Sequence, residues 1–322
     1  MLDSVRSLVL LRIGRLGDLV IATPAITALR SRFPEARITL VTGERGQAAA
    51  ALLPGVDETR VLRPLSAVRL AWELATADAD LLVDLNPSFS RSSWILARLA
   101  GARVKAGFAK GRGDGAYSLL AAAPAEDEHM LDRYARLAKL LSAPYEPRLR
   151  VLVRDEDRHD AKGRLAALRK GRPLVGFFPG NFKKFDNRWP EEKFAELADR
   201  VREHADVVFL PGPGEEERVR SSPVAGPYPL GLFAAFLEGL DLLVTNATGA
   251  AHLAVAVGTP TLSILGRYTQ AVWMPRPQDC ERWKVPHFQA VSNEWGSCRD
   301  VSVDAVYEEF LKALPALGSR RT

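Results

Sequence analysis

The sequence predicts an α/β protein made of two doubly wound parallel-sheet halves. Short apolar runs of strand length alternate with segments of helical periodicity, an order typical of parallel sheets with helical crossovers. The alternation fills the first half of the chain, is interrupted by a stretch rich in proline and charge, and then starts again. A length of 322 residues accommodates about two domains of roughly 100–200 residues each.

Five strands are expected in the first half, because five short runs are dominated by Val, Leu, Ile and Ala. Helices are expected around them, where apolar side chains recur at helical spacing. The predicted strands are 7–13, 37–43, 59–64, 79–85 and 102–108, and the predicted helices are 18–31, 44–52, 66–76, 90–100 and 127–142.

The stretch 141–163 contains two prolines followed by a run of charges, and we interpret it as a linker or boundary region. We therefore expect an N-terminal domain over 1–160 and a C-terminal domain over 170–322. The second series comprises predicted strands 173–180, 206–212, 241–246 and 260–266, predicted helices 190–204, 214–221 and 249–257, and a C-terminal helix 302–314 with Asp304 near its N-cap.

Composition narrows the class of protein. Hydrophobic residues make up 47% and charged residues 26%, as in an ordinary globular protein. No run of about 18 uncharged apolar residues predicts a transmembrane helix, and charge interrupts the first apolar run, so no signal peptide is expected. The two cysteines, Cys280 and Cys298, have no His or second Cys at zinc-ligand spacing, and we expect them to be reduced. A cytoplasmic enzyme is the simplest interpretation.

The excess positive charge lies entirely in the first half of the chain. Residues 1–150 hold 21 Lys and Arg against 16 Asp and Glu, whereas residues 151–322 hold 23 of each. This asymmetry favours an anionic partner for the first half, although ordinary surface charge would give the same count. Dense basic runs with interleaved aromatic residues are missing from the sequence, so a nucleic-acid partner is not expected.

Ligands of doubly wound sheets bind at the carboxyl ends of the strands, and the first such loop is "RIGRLGD" at 12–18. Its spacing is not that of a dinucleotide-binding GxGxxG motif. Gly14 and Gly17 permit tight turns and the close approach of a ligand. Asp18 then has two interpretations, a helix N-cap or a general base held ionised at a helix N-terminus.

Two further strand-exit loops carry polar side chains. "VDLNPSFSRSSW" presents Asn86 and Arg91, either as ligand contacts or as part of a turn and a helix N-cap. "FFPGNFKKFDNRWPEEKF" places Lys183, Lys184 and Arg188 before a helix opened by a proline. Three cations on one strand-exit loop are better explained by phosphate binding than by solvation alone.

The fourth region is a pair of loops in the second half. "FLPGPGEEER" contains Gly212 and Gly214, but Glu217 occupies the third glycine position of a dinucleotide motif, so what remains is a glycine turn followed by acidic residues suited to ribose hydroxyls. In "DLLVTNATGAAHLAVAVGTP" the small residues Thr248, Gly249 and Ala250 open a helix whose amides can hold a diphosphate. His252 lies close to this helix start, either at the anion site or packed in the core.

These regions, in this order, resemble glycosyltransferase family 9, the ADP-heptose:lipopolysaccharide heptosyltransferases. The resemblance covers nearly the whole chain and is carried by "RIGRLGDLVIATPAITALRSRFP", "DLLVDLNPSFSRS", "RWPEEKFAEL", "LPGPGEEE" and "TGAAHLAVAVGTPTLSILG". It implies a GT-B fold, in which two Rossmann-like domains face a central cleft. It also implies an inverting, metal-independent transfer that uses no cofactor besides the nucleotide-sugar donor.

The resemblance implies a role for each motif. Asp18 matches the general base that deprotonates the acceptor hydroxyl. On the donor side, Glu215 matches the residue that holds the ribose, the Thr248–Gly249 helix start matches the diphosphate cradle, and His252 matches the histidine of that motif. The full set of donor-binding candidates is Lys183, Lys184, Arg188, Gly212, Glu215, Thr248, Gly249, Ala250 and His252, and the acceptor-binding candidates are Arg15, Gly17, Asn86 and Arg91.

Two positions depart from the family pattern, both on the donor side. Ala247 stands where the family carries Asp, and Asn187 stands where it carries Lys, with Lys184 and Arg188 nearby as substitutes. The implied donor is a nucleotide sugar, and the implied acceptor is an anionic glycolipid at the cytoplasmic face of the inner membrane. A non-catalytic nucleotide-sugar or glycan binder derived from the family is the alternative. A nicotinamide-dependent oxidoreductase is a second alternative, disfavoured by Glu217.

Overall fold

The computed structural model describes residues 2, 4–180, 188–219 and 223–317, except for the side chains of Arg218 and Ala316. The chain divides into two compact units, Met1–Leu152 and Val153–Thr322. Each unit contains a parallel β-sheet with helical connections. The α/β class predicted from the alternation of strands and helices is confirmed.

The first unit contains a six-stranded sheet in the order β3-β2-β1-β4-β5-β6, with all strands parallel. This is the strand order of a dinucleotide-binding Rossmann sheet, and the order reverses between β1 and β4. The strands are β1 Ser7–Leu11, β2 Arg37–Gly43, β3 Glu58–Leu62, β4 Ala79–Asp84, β5 Ala102–Phe108 and β6 Leu119–Ala121, and the helices are α1 Leu16–Val20, α2 Thr23–Arg32, α3 Gln47–Ala50, α4 Ala67–Thr76, α5 Arg91–Leu99 and α6 Met130–Leu140.

The single helix predicted at 18–31 is in fact two helices, α1 and α2, which is a correction to the sequence interpretation. Pro24 has no N–H to donate, so it cannot continue the hydrogen bonding of α1. The hydroxyl of Thr23 instead donates to the carbonyl of Val20 at 2.7 Å. The break leaves Asp18 on a separate five-residue helix that begins directly above the end of β1.

The second unit contains a five-stranded parallel sheet in the order β11-β10-β9-β7-β8. This is the flavodoxin-like order, with its reversal between β7 and β9. The strands are β7 Leu174–Phe178, β8 Asp206–Phe209, β9 Leu242–Asn246, β10 Thr261–Leu265 and β11 His287–Val291, and the helices are α7 Asp155–Leu168, α8 Glu191–Val201, α9 Leu230–Glu238, α10 Gly249–Ala256, α11 Arg267–Val272, α12 Pro277–Arg282 and α13 Val303–Ala313.

Three local expectations concern the segments that follow residue 140, and one of them is wrong. The stretch 141–163, interpreted as a linker or boundary region, does contain the division between the two units. It also contains most of α7, which packs against α9 and joins it through the Arg158–Glu238 ion pair. The helix predicted at 214–221 is only a single 3₁₀ turn at Glu216–Arg218 within the described residues. The C-terminal helix is confirmed as α13, with Ser302 as its N-cap, whose hydroxyl accepts the Ala305 N–H at 3.1 Å, and Asp304 lies near that cap in the first turn, as predicted.

Each unit has a hydrophobic core of its own. In the first unit Val9, Leu11 and Leu82 of the sheet pack against buried side chains of α4 and α5. In the second unit the sheet packs against α8 and α13 around Trp189 and Phe194. Cys280 and Cys298 are both buried and free. Within the described part of the chain, no helix has the length and apolar composition needed to cross a membrane.

Candidate active site

The strand order of the first sheet brings two of the polar loops together. β1 pairs with β4 so that Leu11 lies opposite Asp84, and the loops that follow them therefore leave the same edge of the sheet side by side. Arg12 begins the first loop, and Asn86 lies in the second. The reversal point of a doubly wound sheet is where ligands bind, so the topology marks this edge as a site.

Arg12 is buried and connects the two loops. Its guanidinium donates to Asp18 Oδ1 at 3.0 Å, to the Asp18 carbonyl at 3.1 Å and to Asn86 Oδ1 at 3.1 Å. A guanidinium holds its donors in a rigid planar fork, so these bonds fix the direction of the Asp18 side chain as well as its charge environment. The arginine next to the glycine turn is therefore a structural partner of the aspartate.

Asp18 combines firm positioning with access to solvent. It is the third residue of α1, and its Oδ2 accepts the N–H of Arg15, the N-cap residue, at 2.8 Å. The side chain nevertheless keeps 28% of its surface exposed. A carboxylate has about four lone-pair positions, so the bonds from Arg12 and Arg15 leave acceptor capacity for a ligand hydroxyl. Asp18 is therefore not the N-cap, which is Arg15, but the third helical residue, whose side chain bonds back to that N-cap. Its carboxylate stays partly accessible, and its role as a general base remains a prediction.

Asp84, at the end of β4, is the centre of a buried network beneath this site. Its Oδ2 accepts Lys110 Nζ at 2.7 Å and the Tyr117 hydroxyl at 2.6 Å. Its Oδ1 accepts the Asn86 backbone N–H at 3.0 Å and the Asn86 side-chain amide at 2.7 Å. Burial, and secondarily the charge of Asp84, raise the pKa of Tyr117 above its ordinary value, so Tyr117 stays a neutral hydrogen-bond donor.

The network continues without interruption to the exposed aspartate. Lys110 contacts Asp84, Asp84 holds Asn86, Asn86 accepts from Arg12, and Arg12 holds Asp18. The side chains of Lys110 and Asp84 are 4% and 0% exposed, and a pair buried this deeply is tolerated only when its remaining hydrogen bonds are satisfied. No sequence pattern assigned Asp84, Lys110 or Tyr117 to the site. A charged residue ending the apolar strand "ADLLVD" is the signal that could have identified Asp84.

The four acceptor-binding candidates fall into two groups. Asn86 is buried, and besides its bonds to Arg12 and Asp84 it accepts the Ile13 N–H and donates to the Leu11 carbonyl. Its side-chain capacity is used within the protein, so the structure makes it a support for the site and corrects its prediction as a direct contact. Arg15 and Arg91 are exposed and Gly17 is half-buried, each close to a strand exit. Arg91 is the first residue of α5, which is capped by Ser90.

In the second unit, the carboxyl ends of β7, β8 and β9 gather several donor-binding candidates. Thr248 is the N-cap of α10, and its hydroxyl lies 3.2 Å from that of Thr245, which also bonds the Phe178 carbonyl at the end of β7. Gly249 and Ala250 follow as the first residues of the helix, where backbone N–H groups have no intrahelical acceptor. This edge therefore offers donors to an anion.

Glu215 lies close against the backbone at the exits of β7 and β8. A Cβ added at Gly212 would fall 2.6 Å from Glu215 Oε2, and one added at Gly180 would fall 3.0 Å from the same atom. Glycine is thus required at Gly212 for the carboxylate to occupy this position. The glycine turn and the acidic residue singled out in the sequence are in direct contact.

Arg188 is held beside the same edge by its neighbour Trp189. The Trp189 backbone N–H donates to Asn246 Oδ1 at 2.9 Å, and its indole N–H donates to the Val301 carbonyl at 2.8 Å. The Arg188 carbonyl accepts from Arg299 at 3.4 Å, and the residue is half-buried. Lys183 and Lys184, like Asn187, lie outside the described residues.

His252 occupies a different place from the other donor-binding candidates. It is the fourth residue of α10 and is buried. Burial, with a smaller contribution from the His252 charge, lowers the pKa of the buried His287 to about 3. Of the two placements that the sequence left open, the structure thus shows His252 buried close to the start of α10, and its contribution to an anion site remains a prediction. No group of three or more His, Cys, Asp or Glu suited to a metal ion occurs among the described residues.

Known proteins resemble this chain in both sequence and fold. A family model described as glycosyltransferase family 9 (heptosyltransferase) matches residues 67–292. Lipopolysaccharide heptosyltransferase 1 of Pseudomonas aeruginosa is 28% identical over 287 residues, which cover 80% of this chain and 78% of that protein.

Solved structures show that the similarity in fold covers nearly the whole chain. A glycosyl transferase family 9 protein from Veillonella parvula has a TM-score of 0.82 at 22% identity, covering 98% of this chain and 99% of that one. The ADP-heptose lps heptosyltransferase II of E. coli has a TM-score of 0.75 at 20% identity, covering 96% and 98%. These likenesses establish the GT-B fold predicted from the sequence, and the family match over most of the chain shows that this protein belongs to glycosyltransferase family 9 (heptosyltransferase).

Proposed function

We propose that this protein is an inverting, metal-independent transferase that moves a heptose or related sugar from ADP-heptose onto a lipopolysaccharide inner core or a similar glycan. Heptose and lipopolysaccharide are supported by the name of the Pseudomonas relative, and ADP by the name of the E. coli heptosyltransferase that shares the fold. The observation that carries the proposal is the partly exposed carboxylate of Asp18, held at the carboxyl edge of the first sheet.

Asp18 acts as the general base in this mechanism. It accepts the proton of an acceptor hydroxyl while that oxygen forms a bond to the anomeric carbon of the donor. The bond between the anomeric carbon and the diphosphate oxygen breaks in the same displacement, and its electron pair leaves with the nucleoside diphosphate. One displacement at one carbon inverts its configuration. Arg12 contributes by keeping Asp18 in place, since positioning supplies much of the rate when the base itself is weak.

The second unit is assigned to the nucleotide sugar. The amides at the start of α10, at Thr248, Gly249 and Ala250, suit the diphosphate, and the Glu215 carboxylate suits the ribose hydroxyls. Arg188 would stabilise the negative charge that develops on the departing diphosphate, together with Lys183 and Lys184 of the sequence motif. His252 would support the helix from within the core.

The first unit is assigned to the acceptor. Arg15, Gly17 and Arg91 surround the strand exits beside Asp18, and the net positive charge of residues 1–150 suits an anionic glycolipid. Such an acceptor would be met at the cytoplasmic face of a membrane. Asn86 contributes through Arg12, without touching the acceptor.

Replacing Asp18 by Asn tests the mechanism, because the substitution preserves size and removes the base. We expect kcat for heptose transfer to fall by roughly 100- to 10,000-fold, the usual contribution of general base catalysis. Binding of ADP-heptose, measured by calorimetry, should stay unchanged, since the donor contacts lie in the other unit.

Asp127→Asn is the matched control, because Asp127 is an exposed carboxylate of the same unit outside the network. It should leave both transfer and donor binding at the wild-type level. Normal turnover by Asp18→Asn would overturn the assignment of the base, and wild-type protein that binds ADP-heptose without transferring it would overturn the proposed function.

A further inference from the structure

Three large apolar side chains of the first unit are turned toward solvent. Leu65 is fully exposed at 103% of its reference surface, Val68 is 85% exposed and Trp72 is 66% exposed. A single exposed apolar residue needs no explanation in a folded protein. Three exposed apolar residues on consecutive turns form a contiguous apolar patch, and such patches mark contact sites.

The three residues lie on one face of a continuous helical segment. Leu65 is in a 3₁₀ turn, Pro64–Ser66, that runs directly into α4, which contains Val68 and Trp72. Spacings of three and four residues bring side chains together along a helix face. α4 turns Leu70 and Leu74 into the core, so this apolar stripe is additional to the face that the fold itself requires.

The neighbouring helix α5 adds two more exposed apolar side chains, Ile95 at 38% and Leu99 at 51%. α5 packs against α4, and both helices cover the same hydrophobic core. We call this area the α4–α5 surface, defined by Leu65, Val68, Trp72, Ile95 and Leu99.

The charges on these two helices are predominantly positive. α4 and α5 together carry Arg69, Arg91 and Arg98, all exposed, against Glu73 as their one carboxylate. Glu73 itself contacts Arg69 at 3.4 Å and Arg60 at 3.8 Å. The apolar surface thus lies on two helices whose three arginines outnumber their single carboxylate, so their net charge is positive.

We propose that the α4–α5 surface docks onto the headgroup region of an anionic lipid bilayer. Apolar side chains including a tryptophan, accompanied by arginines, are what such an interface binds, because the apolar groups enter the acyl boundary while the cations meet lipid phosphates. A second copy of the chain fits less well, since a symmetric contact would bring two positively charged surfaces together. This inference deepens the proposed function. It rests on that function in one respect, namely that the acceptor is a glycolipid and so lies in a membrane.

Vesicle co-sedimentation of the full-length protein tests the docking without any donor or acceptor. The probes are vesicles of an equimolar mixture of phosphatidylcholine and phosphatidylglycerol, and vesicles of phosphatidylcholine alone. We expect binding to the anionic vesicles to weaken at least about tenfold in Val68→Ser/Trp72→Ser, and about fivefold for each of Arg69→Gln and Arg98→Gln. Leu311→Ser on α13 is the control, an exposed apolar residue of the other unit that should leave vesicle binding unchanged.

Results of two kinds, in vesicle binding and in oligomeric state, would overturn the proposal. One is wild-type protein that does not bind the anionic vesicles, or Val68→Ser/Trp72→Ser that binds them as wild type does. The other is a wild-type dimer in light scattering that Val68→Ser/Trp72→Ser converts to a monomer, because the surface would then belong to a second copy. Transfer from ADP-heptose to a water-soluble acceptor, measured on both proteins, separates the two questions. If the wild-type protein shows no such transfer, the proposed function is contradicted, whereas the docking proposal is still decided by the vesicle measurement.

Discussion

At the scale of single residues, the candidate site depends on a buried charge network that reaches the partly exposed Asp18, the proposed base, through four hydrogen-bonded steps. Lys110 and Asp84 are the innermost pair, and Asn86 and Arg12 connect them to Asp18. Removing one partner of a buried ion pair leaves an uncompensated charge, whereas an exposed pair contributes little. The network therefore links the stability of the first sheet to the placement of the Asp18 carboxylate, the proposed base.

Lys110→Met should destabilise the first unit by about 3–5 kcal/mol, because it leaves the Asp84 carboxylate buried without its cation. The measurement is the free energy of unfolding from urea titration. The exposed Lys139 of α6, changed in the same way, is the control and should stay within about 0.5 kcal/mol of wild type. Equal stability of the two variants would show that the buried pair contributes nothing to the fold.

At the scale of elements, the short helix α1 carries Asp18 close to the turn that precedes it. A Cβ added at Gly14 would fall 2.5 Å from the Asp18 Cβ and 2.9 Å from its Oδ2. Distances this short cannot persist, so either the turn or the aspartate side chain must move. Gly14 is therefore required by the position of the carboxylate itself.

Gly14→Ala should accordingly lower kcat for transfer by at least about tenfold, since a misplacement near 1 Å can cost roughly a hundredfold. Binding of ADP-heptose and the far-ultraviolet circular dichroism spectrum should stay as in wild type. Gly115→Ala is the matched control in the same unit, because a Cβ there meets no atom within 4 Å. Full activity of Gly14→Ala would mean that the close approach to Asp18 has no catalytic significance.

The order of the strands explains what could and could not be predicted from the sequence. Apolar runs gave the bounds of β2 and β5 as the structure has them, and the glycine turn drew attention to Asp18, which the structure holds in a partly exposed position. α9 was not predicted because it is largely apolar and has no polar face to reveal helical spacing. α7 was not predicted because many of its residues are charged and it buries only a few apolar side chains.

Lys110 illustrates the limit within the site. It lies 26 residues after Asp84 and meets it only because β5, which precedes Lys110, pairs with β4. A side-chain contact of this kind depends on the strand order, which local sequence patterns do not determine. The loops were therefore predictable as candidates, whereas the network that joins them was not.

At the scale of the whole molecule, the two units place their polar loops by the same topological rule in two different sheets. The order reverses between β1 and β4 in the first sheet and between β7 and β9 in the second, and the candidate residues follow those strands in both. Each sheet has its own hydrophobic core. A ligand held by one unit should therefore change the local stability of that unit first.

Addition of ADP-heptose should slow amide hydrogen exchange in residues 153–322, above all at the start of α10, and leave the exit of β1 unchanged. Ligand at about 100 times its Kd should stabilise the native protein by about 2.7 kcal/mol, which a thermal melt will detect. UDP- and GDP-sugars serve as the controls and should produce no shift. Protection centred on Asp18, or an equal shift with UDP-sugars, would contradict the donor assignment.

The separate cores also bear on how such a chain changes over evolutionary time. The two departures from the family pattern, Ala247 and Asn187, both fall in the second unit, after residue 152. In the first unit, Arg12 is hydrogen-bonded to both Asn86 and Asp18. On the assignment that we propose, substitutions that alter the choice of donor sugar fall in one unit, away from the groups that would activate the acceptor. A lineage with that division of labour would acquire new donors while it inherits the reaction chemistry intact.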